Sequence, residues 1–280
     1  MKFRRNEYEI LNQMLDDAIA GTFEENCFDE SELSKLQTKL MRYLTSASMS
    51  EKKICEEKNN IKELITNISH QTKTPIANIK LYLEMMADET DYDRNQEYLK
   101  KMNGQVNKLD FLLQSMVKMS RLETGTIKIQ KQNAPLCDTL AMAISNVVIK
   151  AEKKRIKIDV QFDERLELIH DKKWTAEAIF NILDNAVKYT NDGGNIHIVV
   201  CRQELFTKIS IEDTGKGIAT ERQATIFTRF YREPEVHDTD GIGIGLYLAR
   251  EIITLQNGYI EVQSHIGQGS TFMIYLPNRD

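Results

Sequence analysis

Residues 61–86 read IKELITNISHQTKTPIANIKLYLEMM. Within this stretch Ile61, Ile65, Ile68, Thr72, Ile76, Ile79, Leu83 and Met86 are separated by threes and fours, the spacing of a buried stripe on one long helix. After a polar break at residues 88–93 the pattern resumes with Tyr98, Met102, Val106, Leu109, Leu113, Met116 and Ser120. Two long helices joined by a short polar loop make an antiparallel hairpin. A lone hairpin gives each stripe only one partner. Pairing two copies into a four-helix bundle is the economical way to bury it, so a homodimer is expected.

Working outward toward the N-terminus, residues 6–20 are amphipathic and an acidic stretch follows at Glu24, Glu25, Asp29, Glu30 and Glu32. A second helix is expected from about Ser31 to Leu44, and residues 1–50 read as a helical lead-in for signalling or dimerisation. Lys2, Arg4 and Arg5 just before a helical pattern suit a chain cut inside a membrane anchor upstream of residue 1, and equally a solvated N-terminus.

Toward the C-terminus the texture changes. Ten of the 13 glycines fall between Gly193 and Gly269. Strands are expected at 126–130, 156–162, 196–201, 207–212, 259–264 and 270–276, and helices at 135–153, at 173–189 with Asp171 as cap, and at 242–256. Short strand spacings and Asp192-Gly193-Gly194 favour a mixed, largely antiparallel sheet. The fold class is therefore a helical-hairpin domain followed by an α/β sandwich, with boundaries at 1–50, 51–124 and 125–280.

The chain has 280 residues, 41% hydrophobic and 28% charged, enough to bury a core without disulfides and unlike a disordered or collagenous chain. A net charge of −5 gives no reason to expect nucleic acid as a partner. Cys27, Cys55, Cys137 and Cys201 are far apart, with no C-x-x-C pair, and read as reduced thiols rather than a zinc site or a disulfide frame. Uncharged runs such as residues 139–149 are short against the ~20 residues of a membrane span. No secretory pattern opens the sequence, and a cytoplasmic location is expected.

His70 sits on the first long helix. The stripe there is set by Ile68 and Thr72, about 40° apart at ~100° per residue, and His70 points ~180° away from it. Lys73 and Thr74 share the face of His70 at i+3 and i+4. Pro75 cannot donate to the carbonyl of Gln71, so a kink is expected one turn past the imidazole.

Four segments of the α/β part look like one phosphate-handling site. Asn181, Asn185, Lys188 and Tyr189 share a helix face: an amide oxygen suits a hydrated Mg2+, and a lysine suits phosphate. Asp213-Thr-Gly215-Lys-Gly217 follows a strand, where a buried carboxylate can accept from an exocyclic amine and glycines admit a base to the backbone. Gly241-Ile-Gly243-Ile-Gly245-Leu246 opens a helix and turns free N–H groups toward an anion. Gly267-Gln-Gly269-Ser-Thr271 precedes the last strand. Each alone is weak, since such runs are also common turns and solvated helix faces. A dinucleotide fold is disfavoured because the glycine loop comes late, with no following βαβ unit.

Taken together, residues 51–280 resemble the catalytic core of a bacterial sensor histidine kinase. Residues 69–75 are similar to the family's phospho-acceptor box and 181–189 to its N box. Residues 213–217, 241–245 and 267–271 are similar to its glycine boxes, and Phe227-Thr-Arg-Phe-Tyr231-Arg232 to its F box. The resemblance implies a dimeric four-helix bundle followed by a Bergerat-type ATP-binding domain. It implies ATP and Mg2+ as cofactors and the receiver domain of a response regulator as partner. It also implies that His70 is the phosphorylated nucleophile and that Asn185 binds Mg2+ with support from Asn181. Lys188 and Arg232 would hold phosphates, Tyr189 and Tyr231 would line the pocket, and Asp213 would recognise adenine. Gly215, Gly217, Gly241, Gly243, Gly245, Leu246 and Thr271 complete the implied nucleotide site, residues 214–240 the lid. Thr74 occupies the position used to place water for dephosphorylation of the regulator.

Related gyrase-type ATPases have glutamate where Asn181 stands. An amide cannot take water's proton, so a general ATPase is disfavoured. One position departs from the family pattern: Gln71 follows the histidine where Glu or Asp is common. Gln71 can orient the ring but cannot act as base. That departure favours a second reading, a regulator-docking dimer that mainly dephosphorylates its partner; the intact nucleotide boxes weigh against it.

Overall fold

The computed structural model describes residues 32–233 and 243–279. Two units, 1–70 and 71–280, divide the chain, the boundary falling within the first helix. The elements in order are α1 (Glu32–Asp88), α2 (Tyr92–Glu123), β1 (Gln132–Pro135), α3 (Leu136–Ser145), α4 (Val148–Lys153), β2 (Lys157–Gln161), β3 (Glu167–His170), α5 (Lys172–Tyr189), β4 (Asn195–Arg202), β5 (Phe206–Asp213), α6 (Gly245–Thr254), β6 (Tyr259–His265) and β7 (Gly269–Pro277).

Helix α1 is one element where a break after Leu44 was expected. No glycine or proline lies between residues 32 and 74, so nothing stops it, and it continues through a buried Pro75. The loop to α2 is short and polar. Asp91 caps α2 by accepting from the Asp93 N–H at 2.9 Å, and Arg94 pairs with Glu89 at 3.2 Å. Tyr82 and Tyr98 stack across the hairpin with centroids 6.2 Å apart.

Much of the hairpin stripe is open in the single chain: Ile61, Ile65, Ile76, Leu83, Val106 and Leu113 each keep 45–59% of their surface, and none of its other apolar members is buried. The C-terminal part of α2 is different. Leu112, Ser115, Met119 and Leu122 are buried on a second face, α2 packs on α6, and Lys118 pairs with Glu177 of α5 at 2.6 Å.

The five-stranded sheet runs β2-β4-β5-β7-β6, with β2 parallel to β4 and every other pairing antiparallel, the mixed sheet expected. Along β5, Thr207, Ile209, Ile211 and Asp213 are buried while their neighbours are not, the alternation of a sheet covered on one face. Ile179, Ile182 and Leu183 of α5 and Ile252 and Ile253 of α6 complete the core, all fully buried. Asp171 caps α5 as expected, its carboxylate accepting from the Trp174 N–H at 3.0 Å.

The expected strand at 126–130 is absent. The N–H groups of Thr126 and Ile127 both donate to Arg121 O at the end of α2, and that of Gln130 to the Asp171 carboxylate, so no ladder can form there. The strand falls instead at β1, pairing antiparallel with β3, which the sequence reading had missed. The helix expected at 135–153 is two helices, separated at Asn146 and Val147.

Candidate functional site

One cleft gathers residues from α5, the β5–α6 connection and β7. From α5 come Asn181, Asn185, Lys188 and Tyr189, brought to one side by their i, i+4, i+7, i+8 spacing. The Asn181 amide N–H donates to Glu177 O at 2.8 Å, which turns its oxygen toward the backbone of Gly245. A Cβ on Gly245 would lie 2.9 Å from that oxygen, so amide and helix start are in close approach.

Asp213 ends β5 on the buried side. Its carboxylate accepts the Gly215 N–H at 2.8 Å, and burial pushes its pKa up from 3.8 to about 6 despite backbone donors from Gly215 and Ser270. Position 215 requires glycine: a Cβ there would stand 2.6 Å from Asp213 Oδ1 and 2.7 Å from Tyr189 O. Lys216 and Lys188 place their ammonium groups 4.9 Å and 4.7 Å from the centre of the Tyr189 ring, and burial raises the Tyr189 phenol. Lys216 also forms an ion pair with Glu233.

Tyr231 and Arg232 reach the cleft from a segment anchored by buried Ile226 and Phe227. Phe227 meets Phe272 edge-on at 6.3 Å, and Arg229 lies 4.8 Å over the Tyr247 ring. Residues 214–233 thus hold two 3-10 turns and contribute to the core, while 234–240 of the expected lid lie outside the described residues. Gly243, at φ +77, approaches Tyr231 O so closely that a Cβ would sit 2.5 Å away. Gly245 and Leu246 follow at the N-terminus of α6 and line the cleft, at the end of the helix that carries its positive dipole. Gly217 also lines it; Gly241 lies outside the described residues.

Thr271 is not part of the cleft. Strand alternation turns Ser270 and Phe272 of β7 inward and Thr271 to the other face, so the expectation was one residue out of register. Phe111 of α2, Asp184, Lys216, Ile226 and Ser270 also line the cleft, and the sequence reading did not select them. Lys216 and Ser270 lie inside glycine segments already quoted; Phe111 carries no signal of its own.

A nucleotide fits these residues. A buried carboxylate at the cleft floor suits an amine donor, the glycine contacts allow a planar base against backbone, and lysines, arginine and a helix N-terminus suit phosphates. Among the described residues no three His, Cys, Asp or Glu side chains gather as a metal cage. His70, exposed, lies on α1, as do Gln71, half-buried, and Thr74, exposed.

Residues 60–125 match the model of the His Kinase A (phospho-acceptor) domain, and residues 170–280 that of the histidine kinase-, DNA gyrase B- and HSP90-like ATPase. The alginate biosynthesis sensor protein KinB of Pseudomonas aeruginosa is 29% identical over 219 residues, 77% of this chain and 36% of KinB. The sensor protein SrrB of Staphylococcus aureus is 28% identical over 220 residues, 77% of this chain and 38% of SrrB. The chain thus spans little more than a third of these relatives. Two solved structures share the fold. Histidine kinase ThkA, in complex with response regulator protein TrrA, gives a TM-score of 0.64 at 20% identity over 90% of this chain and 68% of that one. Histidine kinase AdeS of Acinetobacter baumannii gives 0.61 at 20% identity over 75% and 98%.

Proposed function

This chain belongs to the bacterial sensor histidine kinases, and from that membership we propose that it phosphorylates itself on His70 from ATP and passes the phosphoryl group to an aspartate of a response regulator. The observation that carries the proposal is the cleft, where Asp213, two asparagines and basic side chains meet the N-terminus of α6. In this reading residues 51–124 form the dimerisation and phospho-acceptor domain and 125–280 the ATP-binding domain, with 1–50 a lead-in. The kinase core works in the cytoplasm, and the exposed hairpin stripe is the surface buried in a homodimer.

Asp213 accepts from the adenine amine, with Tyr189 and Tyr231 beside the base. Asn185 offers its amide oxygen to Mg2+ and Asn181 supports it. Lys188, Arg232 and the backbone of Gly243, Gly245 and Leu246 hold phosphate oxygens. Bound ATP with Mg2+ supplies the phosphoryl group and part of the charge neutralisation for an in-line transfer. The chain's own work is positioning: no carboxylate stands at 181 to activate water, so the cleft retains the nucleotide until an imidazole arrives. Gln71 orients the His70 ring as a hydrogen-bond acceptor. Thr74, one turn on, places the water that removes phosphate from the regulator.

The test is incubation of the chain with γ-labelled ATP and Mg2+, then acid or base. Label that survives base and is lost in acid, and that moves to a receiver domain, supports the proposal. ATP binding with no label at any pH, together with dephosphorylation of an added phospho-regulator, would favour the second reading, for which Gln71 is the supporting residue.

A further inference from the structure

Lys154 caps α4, is half-buried, and lies outside the cleft. Its ammonium donates to three backbone carbonyls at the far end of α5: Val187 O and Lys188 O, each at 2.9 Å, and Thr190 O at 2.7 Å. A helix leaves its last carbonyls without partners and carries the negative end of its dipole there. At this end every carbonyl is accounted for. Ala186 O accepts the Thr190 N–H at 3.0 Å, Val187 and Lys188 accept from Lys154, and Tyr189 O accepts the Lys216 N–H at 3.4 Å. The Lys154 carbonyl in turn accepts the Gly193 N–H at 2.8 Å, so one residue fastens both the end of α5 and the turn that follows.

What hangs on that end is part of the cleft. Lys188 and Tyr189 occupy the last two positions of α5, and both line it. We infer that Lys154 is a positioning residue for nucleotide binding: its ammonium fixes the last turn of α5 and thereby the places of Lys188 and Tyr189. An ammonium suits the task because its three rotatable donors meet three carbonyls, which a planar guanidinium fork does not match. The inference rests on the reading of the cleft as an ATP site.

The experiment measures affinity for a fluorescent ATP analogue in the full chain, for wild type, Lys154→Met, Tyr189→Leu and the double variant, with urea denaturation of each. Methionine keeps the apolar stem and removes the donors. Lys154→Met is expected to bind roughly tenfold more weakly, about 1.4 kcal/mol, while folded. In the autophosphorylation assay the loss falls on KM, with kcat at saturating ATP little changed. In the Tyr189→Leu background the same change costs clearly less than in wild type, because one of the two residues through which Lys154 acts is already gone. A purely structural cap would leave affinity of the folded protein unchanged, or give losses that multiply in full in the double variant; either result overturns the inference. If Lys154→Met does not fold, Lys154→Gln, whose two amide donors cannot serve all three carbonyls, is read in its place: a smaller but measurable loss of affinity supports the inference and unchanged affinity overturns it. Failure of the wild type to bind the analogue overturns the reading of the cleft and this inference with it. Wild-type binding with no effect at 154 overturns this inference alone.

Discussion

Replacing Asp213 by Asn is expected to make the ligand-free protein more stable while removing nucleotide binding. Asp213 is 5% exposed, and its pKa in the folded chain is about 6 against an ordinary 3.8. Keeping it ionised above pH 6 therefore costs the folded state about 3 kcal/mol relative to the unfolded chain. Asparagine removes that cost. Its oxygen can accept from Gly215 or Ser270, but its N–H groups face the remaining backbone donor, which returns about 1–2 kcal/mol. The net expectation is a gain of about 1–2 kcal/mol at pH 8.

The sign follows from proton binding. Between pH 3.8 and about 6 the folded state holds more of this proton than the unfolded one, so this group's contribution falls as pH rises through that window. The difference between variant and wild type should thus grow from pH 4 to 6 and then level. The assay is urea denaturation of both proteins across pH 4–8, read as that difference, with ATP binding measured at pH 8. Loss of one hydrogen bond to a charged group predicts at least about tenfold weaker binding. A variant less stable than wild type at pH 8, or a difference independent of pH, would refute the reasoning.

Gln71→Glu is expected to speed autophosphorylation by roughly tenfold or less, because a carboxylate beside the imidazole can draw its proton while water already serves in part. Initial rates at saturating ATP from pH 6 to 9 check this, and Gln71→Ala should be slower than wild type. Thr74→Ala should impair dephosphorylation of a phospho-regulator far more than autophosphorylation; equal losses would assign Thr74 to helix geometry. His170 is fully buried, with Nε2 2.7 Å from the Thr139 hydroxyl and Nδ1 2.8 Å from Leu168 O, and burial lowers its pKa below 6.5. The neutral ring's contribution is present above pH 6.5 and is lost as pH falls below it. His170→Gln should flatten that part of the stability profile in urea denaturation from pH 8 to 5.

Sequence periodicity located the hairpin and the interior strands because each stripe repeats over many residues. It failed where a single hydrogen bond decides. The 126–130 segment has a strand's composition, but Arg121 O and Asp171 take its N–H groups. The four-residue β1, ending in Pro135, and β3 are too short to show alternation. In α2 the eye follows one stripe through Leu109 and Leu113, yet Leu112, Ser115, Met119 and Leu122 form another, buried against the α/β part. Cleft residues on glycine segments and on α5 were legible because each needs a particular residue type at a particular turn. Phe111 was not, since only packing brings an ordinary core-type side chain to the cleft. Thr271 shows the limit of motif reading on a strand, where one residue of register exchanges faces.

The central claim is that His70 receives the γ-phosphoryl group, and mapping the phosphate by mass spectrometry under neutral, acid-free conditions tests it most directly. Wild type incubated with ATP and Mg2+ should carry one phosphate per chain, on His70, and His70→Gln should carry none while binding ATP as before. Phosphate on another residue, or the same amount on His70→Gln, would contradict the account.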